Sequence, residues 1–229
     1  MKLGIMQPYF LPYIGYWQLM NAVDEYVILD EVNYIKGGWI NRNRILVDNQ
    51  PHMLTLPVHK ASSFKRINET HLEGIPEKLA KTIEFAYHKA PYYKGTKHLL
   101  DQVLSCPETN LAKFLANSIK LIASWLNIRA KIQLSSELDH DFSCKGQDRV
   151  LDICRRKGAS VYLNAIGGQA LYSRDAFADQ GIQLGFVQST LCPYPQFGGP
   201  FVPGLSILDC LMFNNLDDMA KLLSSFTII

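Results

Sequence analysis

The chain reads as an α/β fold with a mainly parallel sheet and one inserted helical block, and three observations support that class. Short apolar runs at the N-terminus and after residue 130 alternate with stretches of helical spacing, the pattern of strands joined by crossovers. From about Pro76 to Leu126 the spacing is helical throughout, with no strand between. The 229 residues, 48% hydrophobic, can bury a substantial core without disulfides or metals, so a single domain is the default.

Each element follows from local signals. Leu3, Ile5 and Met6 form a short strand that ends at Gln7-Pro8, because Pro8 lacks the N–H a ladder needs and restricts the residue before it. A loop reaches Gly15, a helix continues to about Ala22, and Tyr26-Val27-Ile28-Leu29 is a second strand closing on Asp30 and Glu31. Ile45-Leu46-Val47 and Met53-Leu54-Thr55-Leu56 are strands joined around Asp48-Asn49-Gln50-Pro51, and Ile67 to Leu72 reads as another short strand. Pro76 opens a helix carrying Leu79, Ile83, Ala86 and Tyr87, a second helix follows Pro91, and Thr109 is expected to cap a third that buries Leu111, Phe114, Leu115, Ile119 and Ile122. Alternation then returns, with strands at 132–134, 161–163 and 182–186 and a helix from Asp148 to Arg156. Ser206 begins a further helix, and Leu216 to Phe226 continues it or adds another.

The stretch from Gln7 to Asn43 packs aromatics, amides, glycines and basic residues more densely than a core needs. In a parallel α/β unit ligands collect beyond the carboxyl ends of strands, and Gln7 and Asp30 both fall at such ends. Tyr9, Phe10, Tyr13, Tyr16 and Trp17 serve equally well as a ligand surface or as filler between helix and sheet. Farther on, Lys36, Trp39, Asn41, Arg42, Asn43 and Arg44 alternate ligand-type side chains beside Gly37 and Gly38. The arginines offer forked donors to phosphate or carboxylate, Lys36 a point charge, the asparagines amide pairs and Trp39 a flat apolar face; the plain alternative is a solvated hairpin. Gln7, Tyr13, Tyr16, Asp30, Arg42 and Asn43 are expected to line one pocket together with Asn164 or Gln196.

Two later stretches fit a site as well. Lys145, Gln147 and Arg149 surround an expected helix start, where free N–H groups favour an anion, although Asp148 is equally fit to cap that helix. Asn164 follows a strand, and Gly167-Gly168 permits a sharp turn there, as any ordinary loop also requires. Asp30 is the first choice of general base; a carboxylate at that place could equally hold a hydroxyl or an ammonium. The six histidines show no metal-ligand spacing, and Asp139-His140-Asp141 reads as a solvated turn, so no metal is expected. Cys144 before Lys145 is a candidate for a lowered thiolate pKa, yet it has no identifiable base.

Tyr13-Ile14-Gly15-Tyr16 stands where a resemblance to the nucleotidylyltransferase-like α/β superfamily would place H-x-G-H, with tyrosines replacing the histidines. That resemblance implies a nucleotidylyltransferase/Rossmann-like sheet; without an imidazolium the phosphate-holding chemistry differs. The segment IMQPYFLPYIGYWQLMNAVDEYVILDEVNYIKGGWINRN, with Lys145-Gly146-Gln147-Asp148-Arg149, Tyr162 to Tyr172, Tyr194-Pro195-Gln196-Phe197 and Leu205-Ser206-Ile207-Leu208-Asp209, resembles the WbqC-like family. These are bacterial proteins associated with O-antigen and other surface-polysaccharide gene clusters. The resemblance implies a transferase that modifies an amino sugar or its nucleotide-linked form, by aminoacyl, glycyl or other acyl transfer, and it adds Tyr194 and Gln196 to the substrate-binding candidates. A non-catalytic nucleotide-sugar-binding or docking protein of the same pathway is the alternative.

Composition bounds the partners. A net charge of +2 gives no strong field, so no nucleic-acid surface is implied, and no run of about 18 apolar residues would insert in a membrane. Five cysteines, an odd number without C-x-x-C spacing, fit a reducing cytoplasm. The expected partner is a small-molecule substrate, and no cofactor is indicated.

Overall fold

A computed structural model describes residues 1–229. Its first elements are β1 (Lys2–Met6), α1 (Ile14–Asn21), β2 (Glu25–Ile28) and the hairpin strands β3 (Arg42–Val47) and β4 (Gln50–Thr55). Three helices follow, α2 (Glu77–Tyr87), α3 (Tyr93–Leu104) and α4 (Leu111–Trp125), then β5 (Lys131–Leu134), α5 (Gly146–Lys157), β6 (Val161–Ala165) and α6 (Arg174–Ala178). The chain ends with β7 (Gln183–Ser189), α7 (Ile207–Phe213), α8 (Leu216–Ser224) and β8 (Phe226–Ile228).

The six-stranded sheet has the order β5-β2-β1-β6-β7-β8, parallel throughout except for β8, which pairs antiparallel with β7 and closes that edge. The mainly parallel α/β class expected from the alternation is therefore present. Strands are added on one side of β1 as far as β5 and on the other side from β6 onward, so the direction of growth reverses between β1 and β6. Pairing of β1 with β2 continues to Met6–Ile28 and that of β6 with β7 to Ala165–Val187, while β1 and β6 are in register only from Lys2–Val161 to Gly4–Leu163. The two strands part at their carboxyl ends.

Strand alternation sends Leu3, Ile5, Val27, Tyr162, Leu184 and Phe186 to one face, where α5 and α6 cover them with Val150, Ile153 and Phe177. The larger core lies on the opposite face, which α1 covers and where the hairpin, α2–α4, α7 and α8 pack in the same cluster. Asp48 and Asn49, with φ of 48° and 59°, make the tight turn of the hairpin, residue types that tolerate left-handed backbone. This hairpin pairs with no strand of the main sheet.

Four local expectations are corrected. Ile67 to Leu72 is no strand: Ile67–Glu69 is a single 3₁₀ turn, held because Glu69 Oε2 accepts from the Arg66 N–H and Thr70 Oγ1 donates to the Arg66 carbonyl. Asn110, not Thr109, caps α4, its side chain accepting from the Lys113 N–H at 3.2 Å. The helix expected from Asp148 already starts at Gly146. The terminal helix stops at Ser224, and Phe226 begins β8 because β7 offers a free edge at Val187–Ser189.

Candidate functional site

The loop after β1 joins two features. On one side, the crevice between β1 and β6 begins at Gln7, whose backbone carbonyl accepts from the Tyr16 hydroxyl at 3.2 Å. Tyr16 is buried against Tyr26, ring centroids 5.5 Å apart, and burial pushes its hydroxyl pKa well above the ordinary tyrosine value. Asn164 fills the gap: its Nδ2 donates to the Tyr162 hydroxyl at 2.5 Å, with longer contacts to the Ile5 carbonyl and the Tyr172 hydroxyl, both at 3.4 Å. Gly168 lies against it so closely that an added Cβ would stand 2.6 Å from Asn164 Oδ1, whereas Gly167 is exposed with open space around it.

On the other side lies a cleft of about 240 Å³ lined by Tyr9, Pro12, Tyr13, Trp39, Asn43, Arg44 and Gly204. Tyr13 is the N-cap of α1 without capping it through its side chain, and the first turn of that helix has no carboxylate. Trp39 is 44% exposed and carries the Arg44 guanidinium carbon 5.5 Å from its ring centroid. Asn43 Nδ2 donates to the carbonyls of Phe10 and Leu11 at 3.1 and 2.8 Å, fixing the loop where Leu11 has a φ of 46°. The segment that supplies Trp39, Asn43 and Arg44 is basic in sequence: residues 32–68 contain Lys36, Arg42, Arg44, Lys60, Lys65 and Arg66 against Asp48 as the sole acidic residue.

The other expected site residues are either held elsewhere by partners of their own or exposed to solvent. Arg42 donates to the carbonyls of Gly37 and, at 3.0 Å, Gly38, clamping their turn. Asn41 accepts from the Tyr34 hydroxyl at 2.7 Å and donates to the Leu56 carbonyl, and Lys36 projects to solvent. Arg149 is buried and donates to the carbonyls of Cys144 and Glu31, Gln147 accepts from the Ser173 N–H at 2.6 Å, and Lys145 is exposed. Of the eight residues expected in one pocket or beside it, the cleft gathers Tyr13 and Asn43; Gln7, Tyr16, Asp30, Arg42, Asn164 and Gln196 do not line it.

Asp30 is 1% exposed, beyond the end of β2. Its carboxylate accepts from Ser135 Oγ at 2.9 Å, from the Ser136 N–H at 3.0 Å and from Ser136 Oγ at 2.7 Å, tying β2 to the 3₁₀ turn after β5. Next to it Glu31 forms a buried pair with His140, Nε2 to Oε2 2.7 Å, while His140 Nδ1 is buried without a partner. This corrects the reading of Asp139-His140-Asp141 as a wholly solvated turn. Cys144 is corrected too: desolvation and the Asp141 carboxylate raise its thiol pKa instead of lowering it. No group of three or more His, Cys, Asp or Glu side chains could hold a metal ion.

Sequence reasoning missed Asp209. It is 0% exposed and accepts from Tyr194 Oη at 2.7 Å, Gln196 Nε2 at 2.6 Å and Tyr87 Oη at 2.9 Å; burial raises its pKa despite these donors. The Tyr87 hydroxyl in turn accepts from the Leu46 N–H. Tyr194 and Gln196 thus fasten the irregular segment 190–205, which carries Gly204, to α2, β3 and α7. The signal available was a carboxylate inside the apolar run Ile207-Leu208-Asp209-Cys210-Leu211.

A mainly parallel sheet that parts where its growth reverses, covered by helices on both faces, defines an α/β protein, and the loop after β1 adds to it a cleft lined by aromatic rings and Arg44. The chain belongs to the WbqC-like protein family, the match covering residues 7–221. It is similar to the "Uncharacterized protein Rv1507c" of Mycobacterium tuberculosis (strain ATCC 25618 / H37Rv), 29% identical over 218 residues, 93% of each chain. No solved structure matches it. No helix is long and apolar enough to cross a membrane.

Proposed function

We propose that the protein is a transferase that binds a nucleotide-linked amino sugar at the carboxyl end of its sheet and acylates the sugar amine, in bacterial surface-polysaccharide biosynthesis. The observation that carries this reading is the parting of β1 and β6 at the reversal of strand order, the place where doubly wound α/β sheets take their ligands. On this reading the sheet is nucleotidylyltransferase/Rossmann-like, and the tyrosines of Tyr13-Ile14-Gly15-Tyr16 serve as ring surface and scaffold in place of phosphate-binding imidazoles. In the reaction the amine nitrogen forms a bond to the acyl carbonyl, the bond from that carbonyl to the donor's leaving group breaks, and the amine proton passes to a base. Asp30 is the assigned base, and it acts only once released from Ser135 and Ser136.

The engagement of all of Asp30's near donors favours a second reading, a non-catalytic nucleotide-sugar-binding or docking protein of the same pathway. Thermal unfolding with a panel of nucleotide sugars and acyl donors tests both, since a ligand of the native state stabilises it by RT ln(1 + [L]/Kd). Stabilisation by a nucleotide-linked amino sugar, with acyl transfer that Asp30→Asn abolishes while binding persists, is the result expected. Binding without transfer in the wild type supports the second reading, and a panel without any shift rejects a nucleotide-sugar ligand.

A further inference from the structure

We propose that the cleft lined by Tyr9, Pro12, Tyr13, Trp39 and Gly204 is an oxyanion subsite whose receptor is Arg44, with the ring faces flanking the group that bears the anion. The proposal deepens the reading above by naming the chemistry of one part of its ligand, and the experiment below lets either fail alone.

Arg44 is positioned from its backbone outward. Its N–H donates to Asn43 Oδ1 at 2.8 Å and its carbonyl accepts from the Ser206 N–H at 2.8 Å, so the start of β3 is fixed on both sides. Its guanidinium lies against Trp39 and gives one hydrogen bond, Nη2 to the Gly204 carbonyl at 3.1 Å. Gly204 allows this approach: its φ is +67° and an added Cβ would stand 3.2 Å from Nη2. No other donor of the guanidinium has a protein acceptor, and Nε is buried without any partner.

A buried donor left without an acceptor is a cost that native chains rarely carry without a reason. Arg42, two residues earlier in the same strand, uses its fork on the turn of Gly37 and Gly38. Arg44 is held by its backbone and by Trp39, and apart from the Nη2 bond to the Gly204 carbonyl its guanidinium has no acceptor in the chain. None of the seven residues lining the cleft is acidic. A phosphate or carboxylate in the cleft that meets the remaining Nη donors of Arg44 supplies an acceptor that the chain does not. The exposed faces of Tyr13 and Trp39 then suit the flat or apolar side of a sugar or base.

The test titrates the full chain with inorganic pyrophosphate and, separately, with acetate, following arginine Nε–H resonances by proton–nitrogen correlation spectra. Arg44→Lys both assigns the Arg44 resonance by its disappearance and keeps the positive charge without the fork. The expected result is a saturable shift of that resonance in the wild type and an affinity roughly ten- to a hundredfold weaker in Arg44→Lys, with Arg42→Lys close to wild type. Pyrophosphate acting alone identifies a phosphate, and acetate acting alone a carboxylate; either supports the subsite. A resonance that neither anion moves, or affinity unchanged in Arg44→Lys, overturns it. Nucleotide-sugar binding that survives in Arg44→Lys at full strength sinks the subsite and leaves the functional reading standing. Pyrophosphate binding at Arg44 in a protein that ignores every nucleotide sugar does the reverse.

Discussion

Asp30 and Arg44 are charged side chains near opposite ends of the segment that joins β2 to β3, and the chain treats them in opposite ways. The Asp30 carboxylate is enclosed and accepts from two serine hydroxyls and a backbone N–H, all drawn from the turn after β5. The Arg44 guanidinium has one protein acceptor, rests on an exposed tryptophan and leaves Nε without a partner. Residue type alone would have ranked the two alike as ligand groups. The difference lies in the bookkeeping of donors and acceptors: a polar cluster that satisfies itself specifies the fold, and one left open has capacity for something outside the chain. Asp209, with its three donors, belongs with Asp30.

The largest effect expected from this contrast is at Asp209. Asp209→Ala leaves Tyr87, Tyr194 and Gln196 without their shared acceptor and frees the segment that carries Gly204, at a cost of about 4 kcal/mol, since each stranded buried group costs roughly 1–3 kcal/mol. Urea unfolding measures it, and a loss below about 1 kcal/mol would remove Asp209 from the self-satisfied class. The pH dependence sharpens the point. Burial raises the folded pKa of Asp209, so its contribution is fully present below the unfolded value of about 3.9 and is lost as pH rises from there through the raised folded pKa. The stability of the wild type relative to Asp209→Asn should therefore decline with rising pH across that window. A difference that grows with pH would mean that the three donors outweigh burial.

Next in size is the direct comparison. Asp30→Ala should cost about 3 kcal/mol by stranding the donors of Ser135 and Ser136, while Arg44→Ala should cost less than about 1 kcal/mol, because it gives up one hydrogen bond and also removes an unsatisfied buried donor. Equal losses in urea unfolding would erase the distinction between the two regions.

Much of the frame could be read in advance because its signals are local. Pro8 after an apolar run set the end of β1, Pro76 and the spacing of Leu79, Ile83 and Ala86 marked α2, and Asp48-Asn49 between two apolar runs marked the hairpin. What escaped depends on partners distant in sequence. Phe226 reads as the end of a helix until Ser189 offers it a free sheet edge, and Ile67 reads as strand until Glu69 and Thr70 turn back on Arg66. The same holds at the site. Arg42 and Arg44 are two residues apart on one strand, and only Gly37 and Gly38 on one side and Trp39 and Gly204 on the other assign them different work. Asp30 looked like a free carboxylate because Ser135 and Ser136 lie more than a hundred residues away.

The smallest effect on stability should come from Gly15→Ala, and it separates fold from recognition within one residue. An added Cβ at Gly15 would stand 2.5 Å from Tyr13 Cε2 and 2.7 Å from its hydroxyl oxygen, closer than the ring can tolerate. Tyr13 is 37% exposed and its side chain makes no capping bond, so the ring can swing away toward solvent with little loss of packing. Alanine in place of glycine inside α1 returns roughly 0.5–1 kcal/mol of helix propensity, which offsets that displacement. The melting temperature should thus stay close to that of the wild type. The cleft, however, loses the Tyr13 face from its wall, and affinity for a ligand that uses this face should fall by about tenfold, the share of an aromatic contact worth roughly 0.5–1.5 kcal/mol. Isothermal titration of Gly15→Ala beside Tyr13→Ala checks this. Matching losses in the two variants tie the effect to the Tyr13 ring, whereas full affinity in both would restrict recognition in this cleft to Arg44 and Trp39.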